Sequence, residues 1–405
     1  MNFPFFIAQR ITYRSQRSFT RVILRIAMIA IVLSVAVMII SDAIVTGFQS
    51  EIKNKITGFA AHVQVNHTRT NFALDNVPIY YDDTFVTEIK QMEGVRHVHA
   101  FATKPGLIKA DSAIEGVVLK GVNKGFDWEA FAPNMQQGKP LQLNDTITST
   151  DVVLSNAIAD RLQLAVGDTA QIYFVQRPVR ALKLHVSGIY STGIEEIDHV
   201  FVLADMKQIQ FLNSWEDNQV GGYEIFLNDL KALDTIGEKV HFRADANQEA
   251  LTIKERYPQI FDWLGLLDVN IQVILTLMTL VAIINMITAL LIMILERTQM
   301  IGLLKALGSY TGQLQQIFVY NAMILIAIGI VAGNFIAIGL LMLQKTLHLI
   351  KLPQESYYVS EVPVQFNWMH ILVINIGAFI ICSLAMYLPS LLISRIRPVK
   401  AIRFE

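Results

Sequence analysis

A single cysteine, Cys382, in 405 residues excludes a disulfide within the chain and leaves no lipid-attachment cysteine near its start. Charge is also scarce. Ionisable Asp, Glu, Lys and Arg make up 17% of the residues, against about 25% in an ordinary soluble domain. The formal net charge of −1 lacks the concentrated basic surface that nucleic acid requires. No G-x-x-x-x-G-K-[ST] occurs, so no P-loop for ATP is expected. H-E-x-x-H and G-x-S-x-G are absent as well, which leaves no catalytic residue to nominate. Histidines pair weakly at His62/His67 and His97/His99. Strand alternation would put His97 and His99 on one face, but no third ligand stands near. They are expected to be satisfied or surface side chains, and no metal site is expected.

Apolar residues are abundant, at 53%, and they are concentrated in four segments. These are 22–46, 267–295, 314–344 and 368–394, each long enough to supply the roughly 20 residues that cross a bilayer as a helix. Their few charges, such as Arg25 and Asp42, sit near the ends. Ion carriers place ionisable groups at mid-depth, so no ion path is expected. Lys and Arg flanking the segments set the orientation. Arg10, Arg14, Arg17 and Arg21 precede the first, Arg297 and Lys305 join the second and third, and Arg395, Arg397, Lys400 and Arg403 follow the fourth. The connection 345–367 has only Lys345 and Lys351 against Glu355 and Glu361. Both termini are therefore expected on the cytoplasmic side of a membrane, with 47–266 on the outer side. The first apolar run is too long for a cleavable signal and no cleavage site follows it. Residues 1–21, rich in Phe and Arg, are expected to form an interfacial amphipathic elbow, and 395–405 a cytoplasmic tail.

The block 47–266 alternates strand-like and helix-like pieces. Strands are expected at 61–66, 95–103, 115–121, 151–154, 169–175, 182–189 and 223–227, with helices near 84–92, 204–212 and 230–240. Ser155 is a plausible N-cap for a short helix through Leu162, and Gly167-Asp168 a turn. This reads as an α+β domain with a second subdomain, about 133–215, inserted into it. The basic tip Arg177-Pro178-Val179-Arg180 is either a solvated turn or a docking finger for a soluble partner. The fold class is thus an α-helical membrane protein of four transmembrane helices, with a large extracytoplasmic α+β domain between the first two.

Between the second and third apolar runs stands an amphipathic connector, 296–313. It carries Glu296, Arg297, Ile301, Gly302, Leu304, Lys305, Ala306, Leu307 and Gly308. That segment, with the order of one helix, a large outer domain and three more helices, resembles the FtsX/MacB-type ABC transporter permeases. In that family the segment is the coupling helix that seats on a cytoplasmic ATPase dimer. The family usually has an acidic residue just before the Ile-Gly pair, where this chain has Met300. Two further stretches are similar to the lipoprotein-releasing LolC/LolE group: Phe6-Ile7-Ala8-Gln9-Arg10 with Thr46 to Ile52, and Tyr357-Tyr358-Val359-Ser360-Glu361-Val362-Pro363-Val364.

This resemblance implies a permease subunit with no cofactor of its own, since ATP and Mg would be held by the partner ATPase. It implies as partners a second permease copy or a related permease, a lipoprotein substrate, a periplasmic lipoprotein carrier and membrane lipid. Met38, Ile39 and Ile40 in the first helix, and Val273 and Leu277 in the second, are candidate lining of a lipid cavity; they could equally be ordinary packing or lipid-facing residues. Arg177, Pro178, Val179 and Arg180 fall where one member of the group carries a hook that recruits the carrier. The rival readings are a MacB-like efflux or mechanotransmission permease, a regulator of cell-wall hydrolases, and a membrane-anchored receptor without an ATPase.

Overall fold

The computed structural model describes residues 4, 18–70, 75–110, 113–144, 146–353 and 357–396. Most of the expected elbow, with Phe6–Arg10, Arg14 and Arg17, lies outside the described residues, as do Arg397, Lys400 and Arg403 of the tail. The chain forms two compact units: 1–50 with 263–352 and 361–405, and 51–262 with 353–360.

Helix α1, Ser18–Phe59, runs for 42 residues, well past the apolar stretch expected to end at 46. The continuation carries Glu51, Lys53 and Lys55 but buries Ile52, Ile56 and Phe59. That i, i+4, i+7 spacing is one helical face, so the chain stays helical after it ceases to be uniformly apolar.

The second unit is built on one sheet. Its elements in order are β1 (Val63–His67), β2 (Ile79–Tyr80), α2 (Asp83–Lys90), β3 (Val95–Lys109), β4 (Ile114–Val122), α3 (Trp128–Phe131) and β5 (Met135–Gly138). Next come β6 (Asp151–Ser155), α4 (Asn156–Leu162), β7 (Thr169–Phe174), β8 (Arg180–Tyr190), α5 (Glu195–Asp198), β9 (Phe201–Asp205) and α6 (Met206–Asn213). The unit closes with β10 (Gln219–Val220), β11 (Gly222–Leu227), α7 (Leu233–Arg243), β12 (Gln248–Thr252) and α8 (Ile253–Arg256). Among the described residues ten strands join in the order β12-β1-β11-β3-β4-β9-β6-β8-β5, with β7 bonded to β3 and β8. The segment 133–215, expected as an inserted subdomain, thus contributes β5 to β9 to the same sheet through the parallel β4–β9 and antiparallel β3–β7 pairs. Ser155 caps α4 as its position suggested, accepting from the Ile158 amide. Residues 201–205 are a strand, with Asp205 capping α6, so the helix expected from 204 starts at Met206. Pro105 lies inside β3 between the stretch that pairs with β11 and the stretch that pairs with β7. Its missing N–H therefore costs no ladder bond on that side.

Helices α9 (Pro258–Glu296), α10 (Thr298–Ala306), α11 (Thr311–Leu347) and α12 (Trp368–Ala385) follow. Together with α1, three of these make four helices among the described residues that are long and apolar enough to cross a membrane; the last such stretch is Trp368–Ser394. Pro389 breaks that stretch after Ala385 into two short turns, Tyr387–Ser390 and Leu392–Arg395, because proline has no N–H and crowds the preceding turn. In the first unit α1 buries Ala27, Ile31, Val35 and Ile39 against α9, α11 and α12. The approach of α11 is close because Gly329 and Gly333 face α1. A Cβ on Gly329 would stand 2.7 Å from Ile31, and one on Gly333 2.9 Å from the Val32 carbonyl. This is the small-residue packing by which membrane helices associate. Asn334 and Asn375 exchange side-chain hydrogen bonds of 2.8 and 3.0 Å between α11 and α12.

Candidate functional site

The connector expected to couple is a discrete helix, α10, set between the breaks at Arg297 and Leu307. Its termination explains the Leu-Lys-Ala-Leu-Gly sequence. Gly308 has φ +92°, its amide bonds to the Lys305 carbonyl at 3.1 Å, and the Ser309 amide bonds to that of Leu304 at 3.0 Å. This paired closure needs a residue in the left-handed region, where glycine carries no Cβ penalty.

The two faces of α10 differ. Ile301 and Gly302 are buried, and Met300 and Leu304 pack against the core of the first unit. Met300 thus fills a packing position where the family resemblance would place an acid. Lys305 also turns inward, donating to the carbonyls of Ile393 at 2.7 Å, Ile396 at 2.9 Å and Ser394 at 3.4 Å. Those are orphan acceptors at the end of a helical stretch. The outward face is formed by Gln299, Leu303, Ala306, Leu307 and Gly308, and Tyr310 follows it. Leu307 is 75% exposed and Tyr310 78%. The sequence reading named Ala306, Leu307 and Gly308 but missed Gln299, Leu303 and Tyr310. Gln299, Leu303, Leu307 and Tyr310 stand four, four and three residues apart, and that spacing is the signal that could have found them. Glu296 and Arg297 are half-buried at the break.

The cavity candidates do not share one surface. Met38 and Ile39 are buried in the packed core, Ile40 lies against it, and Val273 and Leu277 face outward. The exposed apolar stripe of α1 is instead Val22, Ile26, Ile29 and Leu33, and that of α9 includes Val269, Val273, Leu277 and Leu280.

At the tip between β7 and β8, Arg177, Pro178 and Val179 are exposed and Arg180 is not. The Arg180 guanidinium donates to the Phe211 carbonyl at 2.7 Å and the Leu212 carbonyl at 2.9 Å, at the end of α6. It also lies over the Phe211 ring. The arginine braces the tip rather than presenting charge from it.

The Tyr-Tyr-Val-Ser stretch packs within the second unit. The Tyr358 hydroxyl donates to Glu196 at 2.8 Å, and its carbonyl accepts from the Lys55 ammonium at 2.9 Å. Burial and the Glu196 carboxylate push the Tyr358 hydroxyl up to about 12. In the first unit the following Pro363-Val364-Gln365 runs against α1. The Gln365 amide donates to the Ala43 carbonyl at 3.1 Å, and a Cβ on Gly47 would stand 2.5 Å from the Pro363 carbonyl. Both halves of the stretch singled out in the sequence are therefore held by specific contacts. Among the described residues no group of three or more His, Cys, Asp or Glu could hold a metal ion.

Two family models match. The MacB-like periplasmic core domain covers residues 25–240, and the FtsX-like permease C-terminal region covers 272–398. The lipoprotein-releasing system transmembrane protein LolE of Haemophilus influenzae is 22% identical over 99% of this chain and 99% of its own length. The corresponding LolC of Xylella fastidiosa (strain 9a5c) is 20% identical over 94% of this chain and 93% of its own. Among solved structures, the periplasmic region of MacB from Actinobacillus actinomycetemcomitans covers 51% of this chain and 95% of its own, at 12% identity and a TM-score of 0.34.

Proposed function

The chain belongs to the FtsX/MacB-type permeases of ABC transporters, and on that footing we propose that it extracts lipoproteins from the bacterial inner membrane and passes them to a periplasmic carrier. ATP hydrolysis in a separate, cytoplasmic ATPase dimer drives the cycle. The observation that carries this reading is likeness along nearly the whole chain to proteins named as lipoprotein-releasing subunits. The stretch Tyr357–Val364, one of the two similar to that group, is held by the contacts of Tyr358 and of the adjoining Gln365.

The physical task is to keep acyl chains out of water. Each buried CH₂ contributes about 0.8 kcal/mol to membrane anchoring, so a lipoprotein with several chains cannot be released through solvent. The permease must offer one apolar surface and hand the lipid to another. The outward stripes of α1 and α9 supply such surface when a second copy or a related permease faces them, with Val273 and Leu277 on the α9 wall. Met38 and Ile39 support that wall from behind. The exposed Leu303, Leu307 and Tyr310 seat on the ATPase, while Ile301, Leu304 and Lys305 carry the displacement into the helices behind them. At the outer domain the braced tip offers Arg177, Pro178 and Val179 to the carrier. Both termini lie in the cytoplasm in this arrangement.

The test is affinity purification from native membranes in mild detergent, with mass spectrometry of what accompanies the chain. Recovery of an ATPase with acylated lipoproteins is expected. An ATPase with an adaptor and no lipoprotein would favour efflux, and no ATPase at all would leave a receptor. Gly302→Pro, which breaks α10, should abolish ATP-driven release; full release from that variant would remove the coupling role.

A further inference from the structure

Helix α1 ends at Phe59, and this last residue is seated in a nest of rings. Its centroid lies 5.3 Å from that of Phe201, 5.9 Å from Tyr190 in a stacked pose, and 6.4 Å from Phe131. Lys120 of β4 covers the fourth side, with its ammonium 4.4 Å from the ring centroid. The same ammonium donates to the Phe59 carbonyl at 3.3 Å. That carbonyl is among the last four of the helix, which have no intrahelical partner. A cation there also complements the helix dipole.

Lys120 does not stand alone, since a buried lone ammonium would be prohibitive. Its Nζ lies 2.8 Å from Glu224 Oε1 on β11, and Glu224 Oε2 accepts from His99 Nε2 on β3 at 3.0 Å. Glu224 and His99 are direct cross-strand partners, and β11, β3 and β4 are adjacent in the sheet. Burial alone would raise the Glu224 carboxyl, but Lys120 and then His99 outweigh it and hold it down to about 2. The same burial pushes His99 down, so it is neutral and gives Glu224 its one N–H. The end of α1 is thus tied by one ammonium and one carboxylate to three neighbouring strands.

A static joint has no need of such a device. A buried ion pair returns little more than its desolvation costs, and apolar residues of similar volume would hold as well. Directed hydrogen bonds add register: they fix how far the helix end can slide. The rest of α1 suits the same task, because its 42 residues contain no proline, the usual cause of a kink. The connection from the second unit into α9 is different. Between α8 and α9 the chain leaves helical geometry at Tyr257, which has φ −123° and ψ 55°, and resumes at Pro258.

We propose that the Phe59–Lys120 joint is the element through which axial movement of α1 reaches the outer sheet, with Lys120 as a positioning residue held by Glu224 and His99. The source of that movement rests on the ATP-driven reading above. The experiment uses the full chain with its partner ATPase in nanodiscs, and Phe59→Leu, which keeps apolar bulk, beside Lys120→Met, which keeps the stem. Unfolding temperature and ATPase rate are recorded for each. Hydrogen exchange in β4 and β11 is compared between the nucleotide-free and ATP–vanadate states, and cargo released per ATP is counted.

The wild type should show a nucleotide-dependent change of exchange in both strands. At least one variant should remain folded and hydrolyse ATP, yet lose that change and release about fivefold less cargo per ATP, the size expected for coupling residues. Folded variants that keep the full sheet response would overturn the joint, as would a wild-type sheet indifferent to nucleotide. A wild type whose sheet responds, with the response lost in the variants but no lipoprotein released by any, would uphold the joint and remove the cargo assignment.

Discussion

Lys305 and Gly308 hold the end of α10 in different ways, and substitutions should separate them from the residues that face outward. Lys305 spends its charge on three carbonyls at the end of the fourth apolar stretch. Lys305→Met leaves these unpaired at a cost of about 1–3 kcal/mol, and a fall in unfolding temperature in detergent would register it. Leu307 is exposed and has no such internal duty. Leu307→Glu should leave the unfolding temperature unchanged while co-purification of the ATPase is lost; retained ATPase would show that α10 docks by another face. The second unit carries a pH dependence of its own. Burial, and then Arg96, hold His62 down to about 4 from the usual 6.5. Below pH 6.5 the unfolded chain takes up a proton that the folded domain refuses, so stability falls with pH. The loss reaches about 3 kcal/mol by pH 4. Glu224, at about 2 in the fold against the usual 4.5, adds a further loss as pH drops through that lower window. His62→Leu should flatten the slope of unfolding temperature between pH 6.5 and 4; an unchanged slope would assign it elsewhere.

At the scale of elements, the long helices hold together by small residues rather than by the hydrophobic effect. Gly333→Leu would drive a side chain into Val32 and Val35 and should cost a few kcal/mol, as overpacking does. Loss of intact chain during detergent extraction would measure it, with Gly339→Leu as a control because nothing stands within 4 Å of that position. These elements were also where sequence pattern reached furthest. Alternation placed β1, β4, β6, β7 and β8 nearly at their ends and gave the start of β3, which runs six residues past its expected end, and Ser155 marked the start of α4, because these signals are local. Pattern failed where a distant partner decides. Glu51–Phe59 lacks the uniform apolar run that marks the rest of the helix, and the burial of Ile52, Ile56 and Phe59 on one face fixes it there. The Gly329-x-x-x-Gly333 spacing is a local signal for close helix packing. His99, Lys120 and Glu224 look like scattered polar strand residues until the sheet puts them side by side. In the connector 296–308 the chemistry of each side chain was legible and its direction was not: nothing in the sequence separates Lys305, which turns inward, from Leu307, which is exposed.

For the whole molecule, three features of different origin bear on one activity: a helix with an exposed apolar edge between two membrane-type helices, a 42-residue helix seated by its last ring in a sheet, and relatives along the chain named for releasing lipoproteins. Each is consistent with a machine that turns nucleotide-driven movement into transfer of a lipid-anchored protein. The most direct test is reconstitution. The chain, its co-purifying ATPase and any second permease would be placed in proteoliposomes with a triacylated lipoprotein and a soluble periplasmic carrier. The account predicts that ATP, and not a non-hydrolysable analogue, moves the lipoprotein from vesicle to carrier, and that Gly302→Pro stops it. Lipoprotein that stays in the vesicles while the wild-type complex hydrolyses ATP would contradict it.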